Sequence, residues 1–375
     1  MIQNLNNVKK KLSKITTVWN NFILEVKFLQ EKINFNKEVA LNYYGDILYY
    51  FNDTVELLKA NRLENVNFDD SIFNAIGLMQ IIYIHQDLID EMLQHIFKLQ
   101  RSKKEDKNPN RKIRNELVGH PINRNYNNKL ESSIIFGENN GKGCIHYIKY
   151  ESKNSFNSED ISYSIEDILN GHSVFLNKYL DKILEKLFDI LREYKTNLKN
   201  IKKLISQEGE FLKIVDFSER FYTYIFNYEY LFQREILIEC YKKRNKHLRY
   251  KKAVDKFLLE LSSGIEETLS NIEDIIRDKK SNNIEKDQIE EVKITFIEDS
   301  KENISSKYKN SKNYDYYFEK LHEKKHLNIL NLFEVKFKDN LEITNELDNM
   351  KNNVDNDLEY YCSYNYLRSL IQREQ

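Results

Sequence analysis

The sequence predicts an all-α protein: a helical bundle with one short β-hairpin insertion, followed by an additional helical C-terminal region. Three observations carry that expectation. Glycine and proline number only 9 and 2 among 375 residues, too few for the turn-dense all-β architectures that depend on them. Apolar residues recur at three- and four-residue spacing through most of the chain. Hydrophobic residues make up 41% and charged residues 31%, the balance of a globular chain rather than a disordered one.

Each element follows from its pattern. Val18, Phe22, Ile23, Val26 and Leu29 set a first helix to about residue 35, and Val39 to Leu58 reads as a second with Gly45 a weak spot. A third carries the stripe Leu78, Ile81, Ile82, Leu88, Ile89, Met92 and Ile96. Asn74, Gln80, His85, Asp87 and Asp90 interrupt that segment, so it does not read as a membrane span. A short helix over about 110–118 ends at Gly119-His120-Pro121. Residues 132–150 change character, with β-favouring runs on either side of Asn140-Gly141, a hairpin signal. Ser164 and Asp167 then form a capping-box pattern that opens a long helix to about Ile205.

Residues 1–205 therefore form one helical domain, and 206–280 a helical extension. Residues 281–312 are a polar linker rich in Lys, Asn, Glu and Ser. Residues 313–375 return to helix. A net charge of −1 provides no global field toward nucleic acid or lipid, so any such partner must rely on local patches. Cys144, Cys240 and Cys362 are scattered, odd in number and in no CxxC pair. That pattern suits a reducing compartment. Residues 1–16 lack a signal peptide's apolar stretch, and the expected location is the cytoplasm, away from membranes.

Chemistry concentrates in Arg111-Lys-Ile-Arg114-Asn115-Glu116-Leu117-Val118-Gly119-His120-Pro121. Arginine presents a planar, permanently charged fork that matches phosphate, and histidine moves protons near neutral pH. On an unbroken helix Arg114 and His120 would lie about 120° apart around the axis. Gly119 and Pro121 instead end the helix and aim His120 off it. Both prolines, Pro109 and Pro121, bracket this stretch.

Arg114-Asn115 followed by His120 resembles the motif of the HEPN superfamily, whose ribonuclease members carry Arg, then four to six residues, then His, often with Asn directly after the Arg. The resemblance covers residues 1–205 at most. It implies an up-and-down helical bundle, a homodimer with a composite active site, and metal-independent RNA cleavage by 2′-hydroxyl attack, with no cofactor. His120 would then be general acid or base, Arg114 would hold the scissile phosphate and Asn115 would position it. Ile122 stands where the subgroup modified by a partner nucleotidyltransferase has Tyr, two residues after the His. The bacterial defence and toxin character of such members implies an antitoxin or other regulatory protein as a further partner.

Local charge points the same way. Residues 98–114 hold eight Lys/Arg against Glu105 and Asp106, and Lys103, Lys104, Lys107, Arg111 and Lys112 of this run, with Arg124 beyond it, are the expected RNA contacts. A second basic run, 242–256, interleaves with Tyr241 and Tyr250, aromatic platforms on which bases stack. Two other readings remain open. One is a non-catalytic binding module for RNA, nucleotide or protein. The other is a zinc hydrolase built on His322-Glu323-x-x-His326, with Glu323 activating water and Glu346 as third ligand.

Overall fold

The computed structural model describes residues 2–58, 68–100, 110–124, 127–135, 143–151, 155, 157–207, 210–277 and 314–373. Among them the fold is mainly helical, 76% of residues lying in helices, with one small antiparallel sheet of four strands. The expected linker 281–312 and the Asn140-Gly141 turn lie outside the described residues. The chain divides into two units, Met1–Tyr194 and Lys195–Gln375.

Unit 1 opens with α1 (Ile2–Val18), α2 (Lys27–Gln30), α3 (Tyr44–Leu57) and α4 (Phe68–Glu91). Three of these helices run into π-helical turns, Trp19–Ile23 after α1, Val39–Tyr43 before α3 and Met92–Ile96 after α4. The first two expected helices are therefore each broken by such a turn. Buried Trp19 meets Tyr44 with ring centroids 4.0 Å apart, and Tyr44 meets Phe97 edge-on at 5.7 Å. The stretch Asp70–Ile96 is long and apolar enough by length and composition to cross a membrane, and 39% of its apolar 18-residue window is buried within the fold.

Next come α5 (Asn110–Arg114), a fourth π turn over Asn115–Gly119, and strands β1 (Ile122–Arg124), β2 (Leu130–Ile135), β3 (Cys144–Glu151) and β4 (Ser158–Ser164). The sheet has order β1-β2-β3-β4 with every pair antiparallel. The hairpin read from sequence is its middle, β2–β3, and a strand is added on either side. Then α6 (Ile165–Ser206) begins, and Ser164 Oγ accepts the Asp167 N–H at 3.3 Å, the cap its sequence predicts.

Strand alternation decides what the sheet shows the helices. Register pairing aligns Ile135, Tyr147 and Ile161 in one row and Ser133, Lys149 and Glu159 in the next. The apolar row packs on Ile113 and Leu117 of the α5–π segment and on Met79 and Ile82 of α4. The polar row therefore emerges at the edge of that contact, beside the π turn.

One polar chain crosses the unit 1 interior. His85 Nε2 donates to Thr54 Oγ1 at 2.8 Å, and His172 Nε2 donates to His85 Nδ1 at 2.9 Å. These roles follow because the Thr54 hydroxyl is already given to the Tyr50 carbonyl at 2.7 Å. Burial holds the His85 imidazole down at about 3, and burial with the neighbouring His85 holds His172 well below its ordinary value. Both rings are neutral struts joining α3, α4 and α6.

Unit 2 continues from the end of α6 with α7 (Phe211–Phe221), two 3₁₀ turns, α8 (Arg234–Lys243) and α9 (Leu248–Arg277). The final helices are α10 (Asp315–His322), α11 (Asn328–Lys336), α12 (Leu341–Asn352) and α13 (Asp357–Arg373). Phe318, Leu330, Phe333, Leu347, Tyr360 and Leu367 build a core shared by the last four. Asn340 caps α12 by accepting from the Glu342 and Ile343 amides, both at 3.1 Å. Cys240 and Cys362, separated by 122 positions, meet as buried thiols with Sγ atoms 3.4 Å apart.

Candidate active site around the Arg114–His120 turn

The segment from Arg114 to His120 is a π turn. In such a turn each amide reaches the carbonyl five residues back, which adds a residue to the helical ring. The His120 N–H accordingly donates to the Asn115 carbonyl at 2.7 Å. His120 itself leaves the helix with φ −142° and ψ 61° and is exposed. Directly after it, the Pro121 carbonyl accepts the Ser133 N–H at 2.7 Å, which fastens the chain leaving the turn to β2.

Gly119 is required by a close approach. A Cβ there would lie 2.6 Å from Arg114 Nη1, so the guanidinium occupies the space a side chain would fill. Arg114 is held from its other faces too. It lies over the Tyr83 ring, its Cζ 3.9 Å from the centroid. Nη1 donates to Asn115 Oδ1 at 3.2 Å and Nη2 to Gln80 Oε1 at 3.3 Å. Nε is buried without a hydrogen-bond partner among the described residues. Every partner is neutral, and no described carboxylate pairs with this arginine.

The supports come from α4. Gln80, Tyr83, Asp87 and Asp90 recur at helical spacing and form a polar stripe down its otherwise apolar length. Arg111, one turn before Arg114 on α5, meets the lower part of that stripe. Its Cζ lies 5.1 Å from the Tyr83 centroid, and its guanidinium reaches Asp87 at 3.7 Å and Asp90 at 3.8 Å. Arg111 is thus partly neutralised and Arg114 is not.

A cavity of about 480 Å³ opens beside the turn. Arg111, Lys112, Asn115 and Glu116 form its helical wall, Asn123, Glu131, Ser133 and Lys149 its sheet wall, and His120 stands where the two meet. Arg114 is outside this lining, behind Asn115. Since Asn115 Oδ1 accepts from Arg114, its amide N–H donors remain for the cavity. Glu116 ties the turn to the sheet. Its Oε2 accepts the Tyr147 hydroxyl at 2.7 Å and its Oε1 the Lys149 ammonium at 3.0 Å. Lys149 also reaches Glu151 at 2.5 Å. Burial pulls the Lys149 ammonium down, but its hydrogen bonds to Glu151 and Glu116 outweigh it and raise it to about 12.

The remaining expected RNA contacts divide. Lys112 is exposed and reaches Glu116 only at 3.8 Å. Arg124 ends β1 and donates to the Asn128 carbonyl at 3.0 Å. Lys103, Lys104 and Lys107 lie outside the described residues. Part of the second basic run of the sequence is paired within unit 2. Arg249 meets buried Glu346 at 3.1 Å, Lys243 meets Glu359 at 3.1 Å and Lys256 meets Glu229 at 2.8 Å. Tyr250 is buried and donates to Glu359, while Tyr241 stacks on Phe211 with centroids 4.4 Å apart.

The zinc-type pattern is not carried by a continuous helix. His322 is the last residue of α10, and Lys324 and His326 have left-handed backbones with φ 54° and 59°. Glu346 is bound to Arg249. No group of three or more His, Cys, Asp or Glu able to hold a metal ion occurs among the described residues.

Sequence reasoning found Arg114, Asn115 and His120 but missed Gln80, Tyr83, Glu116 and Lys149. The 3-4-3 spacing of Gln80, Tyr83, Asp87 and Asp90 inside an apolar helix was the available signal for the α4 supports. Comparison with protein-family models, curated proteins and solved structures returns no match.

Proposed function

We propose that this protein is a metal-independent endoribonuclease of HEPN type, a bacterial toxin or defence effector acting in the cytoplasm as a homodimer. The observation that carries the reading is the state of Arg114. It is a fixed guanidinium whose charge no described carboxylate cancels, set against the turn that delivers exposed His120 to a polar cavity. An uncompensated, pre-positioned cation is what an anionic phosphodiester and its transition state require. Neutral partners fix its direction without spending its charge.

In this reading the substrate's 2′-hydroxyl loses its proton and its oxygen bonds to phosphorus. The bond from phosphorus to the 5′-oxygen breaks, that oxygen takes a proton, and the products end in a 2′,3′-cyclic phosphate and a 5′-hydroxyl. His120 carries one proton transfer, and His120 of a second copy carries the other. Arg114 and the Asn115 amide offset charge on the non-bridging oxygens. Arg111, Lys112 and Arg124, with Lys103, Lys104 and Lys107, guide the RNA backbone. An antitoxin or regulatory protein would act by covering this cavity.

The test is incubation of wild-type and His120→Ala proteins with single-stranded RNA in EDTA. Cleavage by the wild type alone, with cyclic-phosphate ends, is the expected result. RNA that the wild type binds but leaves intact would assign the site to a binding module instead.

A further inference from the structure

The segment that carries Asn115 and His120 is anchored to the sheet at both ends, by two kinds of contact. At the far end the anchor is backbone, the Pro121 carbonyl accepting the Ser133 N–H of β2 at 2.7 Å. At the near end it is a side chain, Glu116, one residue beyond Asn115 and four before His120. Tyr147 and Lys149 stand two residues apart on β3 and so project from one face of the sheet. The Glu116 carboxylate spans them, Oε2 accepting the Tyr147 hydroxyl at 2.7 Å and Oε1 the Lys149 ammonium at 3.0 Å. Tyr147 is fully buried, where a hydroxyl requires an acceptor. Burial and the Glu116 carboxylate hold that phenol well above its ordinary value, so it stays a donor. Both carboxylate oxygens are thus engaged with the sheet, the arrangement of a strut and not of a proton carrier.

Resting on the ribonuclease reading, we infer that Glu116 is a positioning residue, through which Tyr147 and Lys149 of β3 set where Asn115 and His120 stand against the phosphate. A π turn interrupts the regular hydrogen-bond ladder of its helix, so anchors from outside the helix decide where its residues sit. Glu116 and Pro121 clamp the turn on either side of Gly119 and His120, and the Arg114 guanidinium fills the space over Gly119 between them. Releasing Glu116 frees the near end alone. The turn can then swing about its Pro121 anchor, which moves Asn115 and the partner that Arg114 finds in Asn115 Oδ1. Reacting groups held about 1 Å out of place lose on the order of 10²-fold in rate.

The test cuts the strut by degrees in the full chain. Glu116→Gln keeps an amide oxygen for the Tyr147 hydroxyl but offers Lys149 no charge. Tyr147→Phe keeps the Lys149 pair and loses the other arm, and Glu116→Ala loses both. Each protein is read in two ways: by hydrogen exchange at the His120 amide, which closes the turn on the Asn115 carbonyl, and by kcat and KM for RNA cleavage across pH, per folded molecule. A hydrogen bond to a charged group changes an opening equilibrium by roughly ten- to hundred-fold. Exchange in Glu116→Ala should quicken by roughly that factor, and less in the two single-arm variants. kcat should fall in the same order, with KM and the shape of the pH–rate profile as in wild type. A wild type that leaves RNA intact, with graded exchange in the variants, sinks the nuclease and keeps the strut. Exchange equal to wild type in all three variants overturns the strut whatever happens to cleavage. Graded exchange with unchanged kcat overturns the positioning role, and a limb missing from the Glu116→Gln pH profile would make Glu116 a proton carrier instead.

Discussion

Arg114 in unit 1 and Arg249 in unit 2 are the same side chain in opposite circumstances. Arg249 is nine-tenths buried, with Glu346 at 3.1 Å and Glu359 at 3.9 Å closing on it. Its charge is cancelled where it sits, and nearby His247 also faces Glu346, at 3.6 Å. Arg114 has an aromatic face and two amide oxygens for company, next to an exposed histidine and a cavity. A buried, paired arginine joins helices together. A fixed but unpaired one is a standing attraction for an anion. The contrast between a guanidinium that is neutralised and one that is only steered separates architecture from chemistry in this chain.

The contrast is broken most forcefully at Arg249. Removing it leaves Glu346 buried without its cation, and losing one partner of a buried pair costs about 3–5 kcal/mol. Arg249→Ala should therefore lower the urea midpoint of unit 2, followed by circular dichroism, without a direct effect on the site in unit 1. Arg114→Ala should do the reverse. Its expected cost is roughly 10²–10³-fold in RNA cleavage, as for loss of a preorganised donor to a transition-state anion. Folding should be nearly unchanged, monitored by fluorescence of Trp19, the chain's single tryptophan. If Arg114→Ala instead unfolds unit 1 while cleavage persists in the folded fraction, the two arginines are alike and the contrast fails.

Gly119→Ala sharpens the point with one methyl group. The new Cβ meets the movable end of Arg114, so stability should hold while the guanidinium shifts. A misplacement of about 1 Å costs on the order of 10²-fold. Equal activity in Gly119→Ala and wild type would show that the Arg114 position is immaterial.

A smaller effect follows from the His85–His172 chain. The folded His85 value, about 3, lies below the ordinary 6.5, so the unfolded chain binds more protons between those pH values. Its contribution is complete above about pH 6.5 and is lost as pH falls toward about 3, at up to about 1.4 kcal/mol per pH unit. His172 acts in the same direction. Urea titrations of Trp19 fluorescence at pH 7.5 and pH 5 should show this loss, and a variant with both His85 and His172 replaced by Leu should show less of it. The smallest change is expected from exposed Lys112. Lys112→Ala should leave stability within about 0.5 kcal/mol and weaken RNA binding mainly at low salt, where a single phosphate contact counts most.

Much of unit 1 is legible in the sequence, because its helices bury continuous stripes and Ser164 caps α6 as its spacing predicts. The two outer strands are not. Ile122–Arg124 is three exposed residues, and Ser158–Ser164 is too polar to announce a strand; both exist because β2 and β3 offer them edges. In unit 2 the expected helical extension over 206–280 is resolved into α7, two 3₁₀ turns, α8 and α9, breaks that its periodicity does not mark. The Arg114-Asn115 and His120 spacing is visible in the chain, yet what holds Arg114 is tertiary. Gln80 and Tyr83 stand 34 and 31 positions earlier, and local periodicity cannot say which face of α4 meets α5. The pairings of His85 with His172 and Cys240 with Cys362 are hidden for the same reason. Their separations, 87 and 122 positions, are set by packing and not by any local pattern.

The central claim is that the Arg114–His120 turn drives a 2′-hydroxyl onto its own phosphate without a metal. The most direct measurement compares two RNAs in EDTA, one all-ribose and one with a single 2′-deoxy nucleotide on the 5′ side of the cleaved linkage. The account predicts that wild-type protein cuts the first, leaving a 2′,3′-cyclic phosphate, and leaves the second intact at that position. Cleavage of both, or cleavage of neither until a divalent metal is restored, would contradict it.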